Sequence, residues 1–209
     1  MNADLLIQRG DSTAASKLLL LFHGVGSNAE DLRPLGRALA AGCPQACIVS
    51  VRAPDPSDFG QGWQWFSVKD VTEVNRSARV AAAMPRFVGA VRAWQSEMGI
   101  GATETTLIGF SQGAIMALES TQQSEPVAAN VIAIAGRFAQ PPRIAPKNVV
   151  LHLLHGEQDR VMPATLAVDG TAQWRALGGT VTLDMLPNLG HGIDASVMLR
   201  AAGYLECTT

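Results

Sequence analysis

Six short runs of branched aliphatic residues, at 18–22, 47–51, 105–110, 130–135, 149–154 and 180–186, alternate along the chain with longer helix-like segments. Those segments lie at 29–41, 73–98, 111–122, 163–177 and 191–206. Several of the short runs are apolar at consecutive positions, as in Leu18-Leu19-Leu20-Leu21-Phe22. An unbroken apolar run fits a strand covered on both faces. Such strands need helices above and below them, so the alternation predicts an α/β fold with a mostly parallel sheet and helices on both faces. The length of 209 residues fits one domain, 1–209. The Pro/Gly-rich stretch 53–62 and the segment Gln140-Pro141-Pro142 read as surface loops, because the pattern resumes on both sides of each.

In sheets of this kind the binding crevice opens beyond the carboxyl ends of the strands. The loops expected there carry reactive residue types: His23-Gly24-Val25-Gly26, Ser111, His155-Gly156-Glu157-Gln158-Asp159 and Gly190-His191-Gly192. Gly109-Phe110-Ser111-Gln112-Gly113 joins a strand-like run to a helix-like one. A serine held on a strained strand-to-helix turn, with glycines two positions either side, has the form of a nucleophile elbow. Serine becomes a nucleophile only when a base takes its proton, and the base must be oriented by a carboxylate. In the chain order serine, acid, histidine that such elbows use, His191 is the base. Asp159 is the preferred acid, and Glu157 is its local competitor. Asp184 falls inside its own strand and Asp194 follows His191, so both rank lower.

Two backbone N–H groups are needed for a developing oxyanion. Gln112, directly after the serine, supplies one, and Val25 in the glycine-flanked turn supplies the other. His23, Gly24 and Gly26 are expected to support that turn, and His155 to support the acid loop. His152 reads as a packed strand residue. Trp63, Trp65 and Phe66 cluster in a chain with few aromatics. Most of them are expected to anchor their loop, with Trp65 or Phe66 lining an apolar acyl pocket beside Met162. The stretch 136–148 is too short for a helical cap, which predicts an open site.

The net charge of −2, with dispersed arginines, gives no footprint for nucleic acid or an anionic membrane. No run approaches the ~20 apolar residues of a membrane span, and Asp4 and Gln8 interrupt the start where an export signal needs its apolar segment. A cytoplasmic protein is expected. Cys43, Cys47 and Cys207 are too few and too unevenly spaced for a disulfide framework, and Cys43 with Cys47 lacks a second pair for zinc. Three reduced thiols, no metal and no cofactor are expected. Homodimerisation is left open by the sequence.

The strings Leu20 to Gly26, Gln64-Trp65-Phe66, Gly109 to Ala114, His155-Gly156 through Asp159 to Pro163 and Gly190 to Ile193 together resemble the carboxylesterase/phospholipase family of serine hydrolases, which includes acyl-protein thioesterases. The likeness runs through nearly the whole chain. It implies an α/β-hydrolase fold, Ser111, Asp159 and His191 as a triad, and Val25 and Gln112 as oxyanion donors. It implies a small-molecule ester or thioester substrate, with short to medium acyl esters first and acyl-thioesters or lysophospholipids as alternatives. A non-catalytic binding module would be expected to have lost a triad member, and none is missing. The chain departs from the family where Ser27 and Asn28 follow the His-Gly-x-Gly string and where Gln64 precedes the Trp-Phe pair.

Overall fold

The computed structural model describes residues 4–10 and 16–205. Its centre is a seven-stranded sheet formed by β1 (Leu5–Gln8), β2 (Lys17–Phe22), β3 (Ala46–Val51), β6 (Thr105–Phe110), β7 (Asn130–Ile134), β8 (Val150–Gly156) and β9 (Thr180–Leu186). Their spatial order is β1-β3-β2-β6-β7-β8-β9, and every pairing is parallel except that of β1 with β3. A small hairpin, β4 (Asp55–Pro56) with β5 (Trp63–Gln64), stands apart. The helices are α1 (Arg33–Gly42), α2 (Arg76–Met98), α3 (Gln112–Ser120), α4 (Thr165–Ala176) and α5 (Ala195–Gly203).

The consecutive apolar runs divide between two cores by parity. Leu18, Leu20 and Phe22 of β2 join Val49, Leu107 and Leu153 in a core covered by residues of α2, α3 and α4. Leu19 and Leu21 join Ile48, Ile108 and Leu154 in a second core covered by α1 and α5. Side chains alternate across a strand, so a strand buried on both faces must be apolar at every position. All five residues from Leu18 to Phe22 have no exposed surface. Burying each side chain contributes roughly 1.5–3 kcal/mol, and this fixes β2 in the middle of the sheet.

The antiparallel edge strand β1 was not anticipated. Polar residues in it and just before it tie it to its neighbours. The Gln8 amide donates to Cys43 O at 2.7 Å and Ala46 O at 2.9 Å, and Asp4 accepts from Arg52 N at 2.9 Å and Trp94 Nε1 at 2.8 Å. The last helix begins later than its apolar pattern suggests, at Ala195, because Asp194 caps it through Val197 N at 3.0 Å. Its expected end, Glu206, lies outside the described residues. Cys43 is disulfide-bonded, which corrects the expectation of three reduced thiols; spacing along the chain does not report which thiols the fold brings together. Cys47 is a free thiol buried in β3, and Cys207 lies outside the described residues. Among the described residues no helix is long and apolar enough to cross a membrane.

Candidate active site

Ser111 sits between the end of β6 and the start of α3 with φ 53° and ψ −114°, a left-handed region that a side chain rarely adopts. Ser111 N donates to Ile134 O at 2.9 Å, which ties the turn to β7. The flanking glycines are required by backbone proximity. A Cβ on Gly109 would stand 2.5 Å from Ala114 Cα, and one on Gly113 would stand 2.1 Å from Phe22 O. The turn therefore presses against its own helix on one side and against β2 on the other, and this fixes where the serine stands.

His191 lies beyond β9. Its Nε2 is 2.9 Å from Ser111 Oγ, and its Nδ1 is 2.7 Å from Asp159 Oδ2. A carboxylate only accepts, so Nδ1 carries the ring proton and Nε2 is left to accept from the serine hydroxyl. The ring lies over Phe110, with centroids 5.1 Å apart. Gly190 and Gly192 flank the ring. Neither has a positive φ, and a Cβ on either would meet nothing closer than 3.9 Å. The loop is placed instead by Gln158 N donating to Leu189 O at 2.9 Å.

Asp159 is buried on the loop after β8. Its Oδ1 accepts from Val161 N at 2.9 Å and Met162 N at 2.8 Å. Burial works to raise its pKa, but the hydrogen bonds from Met162, His191 and Val161 outweigh that and hold the carboxyl below its ordinary value. The other acids are placed elsewhere. Glu157 is exposed, Asp184 accepts from Arg200 and Tyr204, and Asp194 caps α5.

The turn carrying Val25 runs along the elbow, so that a Cβ on Gly24 would lie 3.2 Å from Ser111 Cβ. Gly26 N donates to Trp63 O at 2.9 Å, and Trp63 N donates to Ser27 O at 2.8 Å. His23 lies beneath the turn. Its Nε2 accepts from Ala53 N at 3.0 Å, so Nδ1 is the donor to Gly24 O at 2.7 Å. Burial keeps this imidazole below its usual pKa, against the smaller raising effect of the Gly24 bond.

The Gln112 side chain is itself a brace. It is buried, accepts from Trp65 N at 2.7 Å and donates to Phe66 O at 2.8 Å, and the Trp65 indole donates to His23 O at 3.0 Å. The 63–66 segment thus joins the elbow to the turn at 23–26. Trp65 is 3% exposed and packs edge-on against Phe22 and Phe87, and Phe66 is also buried. Met162 is half-buried beside the acid loop. Trp65 and Phe66 also line a cleft of about 260 Å³ against α2, with Ala83 and Arg86. Asp58 Oδ2 accepts from Ser67 Oγ and Val68 N, at 2.7 and 2.8 Å. Hydrogen bonds involving Gln64 and Ser67 hold its pKa at about 2. These braces were not visible in the sequence, because Gln112 and its partners lie 46 and 47 residues apart.

Among the described residues no group of three or more His, Cys, Asp or Glu side chains is placed to hold a metal ion. Residues 136–149 carry no helix, so nothing from that segment caps the site in the manner of a helical lid.

Residues 2–209 match the family model described as phospholipase/carboxylesterase. The chain belongs to the phospholipase/carboxylesterase family. It is 44% identical over 208 residues to Esterase YpfH of Escherichia coli (strain K12), covering all of this chain and 90% of that one. The crystal structure of esterase PE8 superimposes with a TM-score of 0.86 at 29% identity, covering 96% of this chain and 95% of the other. The carboxylesterase of Bacillus cereus shares the fold with a TM-score of 0.81 at 18% identity, covering 96% and 92%. Membership of this family makes the chain a serine hydrolase with an α/β-hydrolase fold.

Proposed function

We propose that the protein is a carboxylesterase that cleaves short to medium acyl esters through Ser111, His191 and Asp159, by way of an acyl-enzyme. The supporting observation is the unbroken series from Ser111 Oγ through both nitrogens of His191 to a buried Asp159 carboxylate. In the first half-reaction Ser111 Oγ attacks the ester carbonyl as His191 Nε2 takes its proton. Asp159 stabilises the resulting imidazolium. The backbone amides of Val25 and Gln112 donate to the oxyanion, and collapse of the intermediate expels the alcohol, which receives its proton from His191. Water then repeats the sequence on the acyl-enzyme and releases the acid. Phe66 and Met162 form the acyl wall, with Trp65 supporting it from beneath. The lack of a helical cap over 136–149 supports activity on soluble monomeric esters.

The test is hydrolysis of a chain-length series of p-nitrophenyl esters alongside fluorophosphonate labelling. Wild type is expected to label at Ser111 alone and to favour longer chains by up to ~0.8 kcal/mol per methylene until the pocket fills. Ser111→Ala is expected to remain folded, inactive and unlabelled. Turnover by that variant, or labelling at another residue, would overturn the assignment.

A further inference from the structure

His155 is the penultimate residue of β8, its side chain is 1% exposed, and it makes no contact to Ser111 or His191 among its hydrogen bonds. Its Nε2 lies 2.8 Å from Met162 O. A carbonyl only accepts, so Nε2 bears the proton. The same nitrogen is 3.3 Å from Asp159 Oδ2, a longer, electrostatic contact. The two oxygens of Asp159 are therefore held differently. Oδ1 has two backbone amides, from Val161 and Met162. Oδ2, the oxygen that faces His191 Nδ1, has no backbone donor among its hydrogen bonds. Among the described residues the further N–H recorded beside it is that of His155, at 3.3 Å.

We propose that His155 is a positioning residue: its Nε2–H pins the Asp159–Met162 turn through Met162 O, and the ring, lying against Asp159 Oδ2, keeps that oxygen in line with His191 Nδ1. The proposal rests on the reading of Ser111, His191 and Asp159 as the catalytic series. Met162 is gripped twice, with its N–H on Asp159 Oδ1 and its carbonyl on His155 Nε2. Without the ring, the Met162 carbonyl loses its partner, the turn that supplies the two amides to Oδ1 is held less firmly, and Oδ2 is left with His191 alone. The cost falls on the step in which His191 becomes positively charged. The ring itself does not meet substrate, so the loss of charge stabilisation appears in kcat, and any slackening of the Met162 wall appears separately in KM.

The test compares His155→Gln, whose amide nitrogen reaches the place of Nε2, with His155→Leu, which has no donor. Each variant is measured for kcat and KM on a p-nitrophenyl ester, for melting temperature, and for the downfield proton resonance of His191 Nδ1–H. His155→Leu is expected to lose about 10²-fold in kcat, with any rise in KM from the loosened Met162 wall much smaller than that, and to lose or shift the downfield resonance. His155→Gln is expected to recover most of both. If His155→Leu does not fold, His155→Asn, whose shorter amide falls short of Met162 O, takes its place with the same expectation. Wild-type kcat and resonance in the donor-less variant would overturn the proposal. So would equal losses in both variants that follow their melting temperatures. Fluorophosphonate labelling of wild-type Ser111 is scored separately, so failure of the catalytic reading is told apart from failure of the role of His155.

Discussion

Asp159 and Glu157 stand two residues apart, yet only one has its carboxylate fully engaged. Asp159 accepts from Val161 N, Met162 N and His191 Nδ1, whereas Glu157 is exposed. An amide at position 159 would present an N–H where the imidazole also donates, and it could not stabilise the imidazolium. Asp159→Asn is therefore expected to fold and to lose about 10⁴-fold in kcat, and Glu157→Gln to stay near wild type. Steady-state hydrolysis of one p-nitrophenyl ester by both variants checks this, and a reversed ranking would transfer the role to Glu157. The glycines separate just as sharply. Gly113→Ala drives a Cβ to 2.1 Å from Phe22 O, a backbone atom of the central strand that cannot move aside. It is expected to cost more than about 4 kcal/mol or to prevent folding, while Gly192→Ala, which meets open space, is expected to change stability by no more than about 0.5 kcal/mol. Urea unfolding of the two side by side decides it.

At the scale of elements, α3 does two jobs through one residue. Gln112 opens the helix with the amide assigned to the oxyanion, and its side chain clamps the 63–66 segment. Gln112→Ala separates the two, because the backbone N–H survives while Trp65 N and Phe66 O lose their buried partner. A loss of about 1–3 kcal/mol for each group left unsatisfied is expected, with fluorophosphonate labelling of Ser111 retained and the chain-length optimum broadened. Loss of labelling in a folded variant would show that the clamp also sets the oxyanion geometry. Such braces explain what the sequence concealed. The order serine, acid, histidine and the elbow glycines are local signals, and the parity of the apolar runs reports burial on both faces directly. The strand β1 is four residues long and partly polar, so it carries no periodic signal of its own. The β4–β5 hairpin has two residues per strand and is held by Ser27, Gly26 and Gln112 from elsewhere in the chain. Trp65 reads as a pocket residue because aromatics near a site suggest one, whereas its indole N–H is committed to His23 O within the core.

Across the whole molecule, two buried carboxyl groups pull stability in opposite directions with pH. Asp159 has its folded pKa lowered, so its contribution is present above its unfolded pKa and is lost as pH falls through the folded value. Glu119, on the buried helix α3, has its folded pKa raised. Burial is the main cause, and it outweighs the lowering effect of the amides of Ala139 and Gln140 and of Arg143. A raised carboxyl contributes stability that is fully present below its unfolded pKa and is lost as pH rises through the folded value. Glu119 anchors the loop after β7, with Oε1 accepting from Ala139 N at 2.7 Å and Gln140 N at 3.4 Å. A glutamine offers the same acceptor without a charge to desolvate. Glu119→Gln is therefore expected to be more stable than wild type at neutral and alkaline pH, with the difference shrinking to nothing as the solution is acidified and wild-type Glu119 takes up its proton. Urea unfolding of both proteins across that range measures it, with Ser111 labelling as a check that the active site is unchanged. A constant difference at all pH values would mean that the effect is one of packing, and a less stable variant at neutral pH would mean that the Glu119 charge is used by the folded protein.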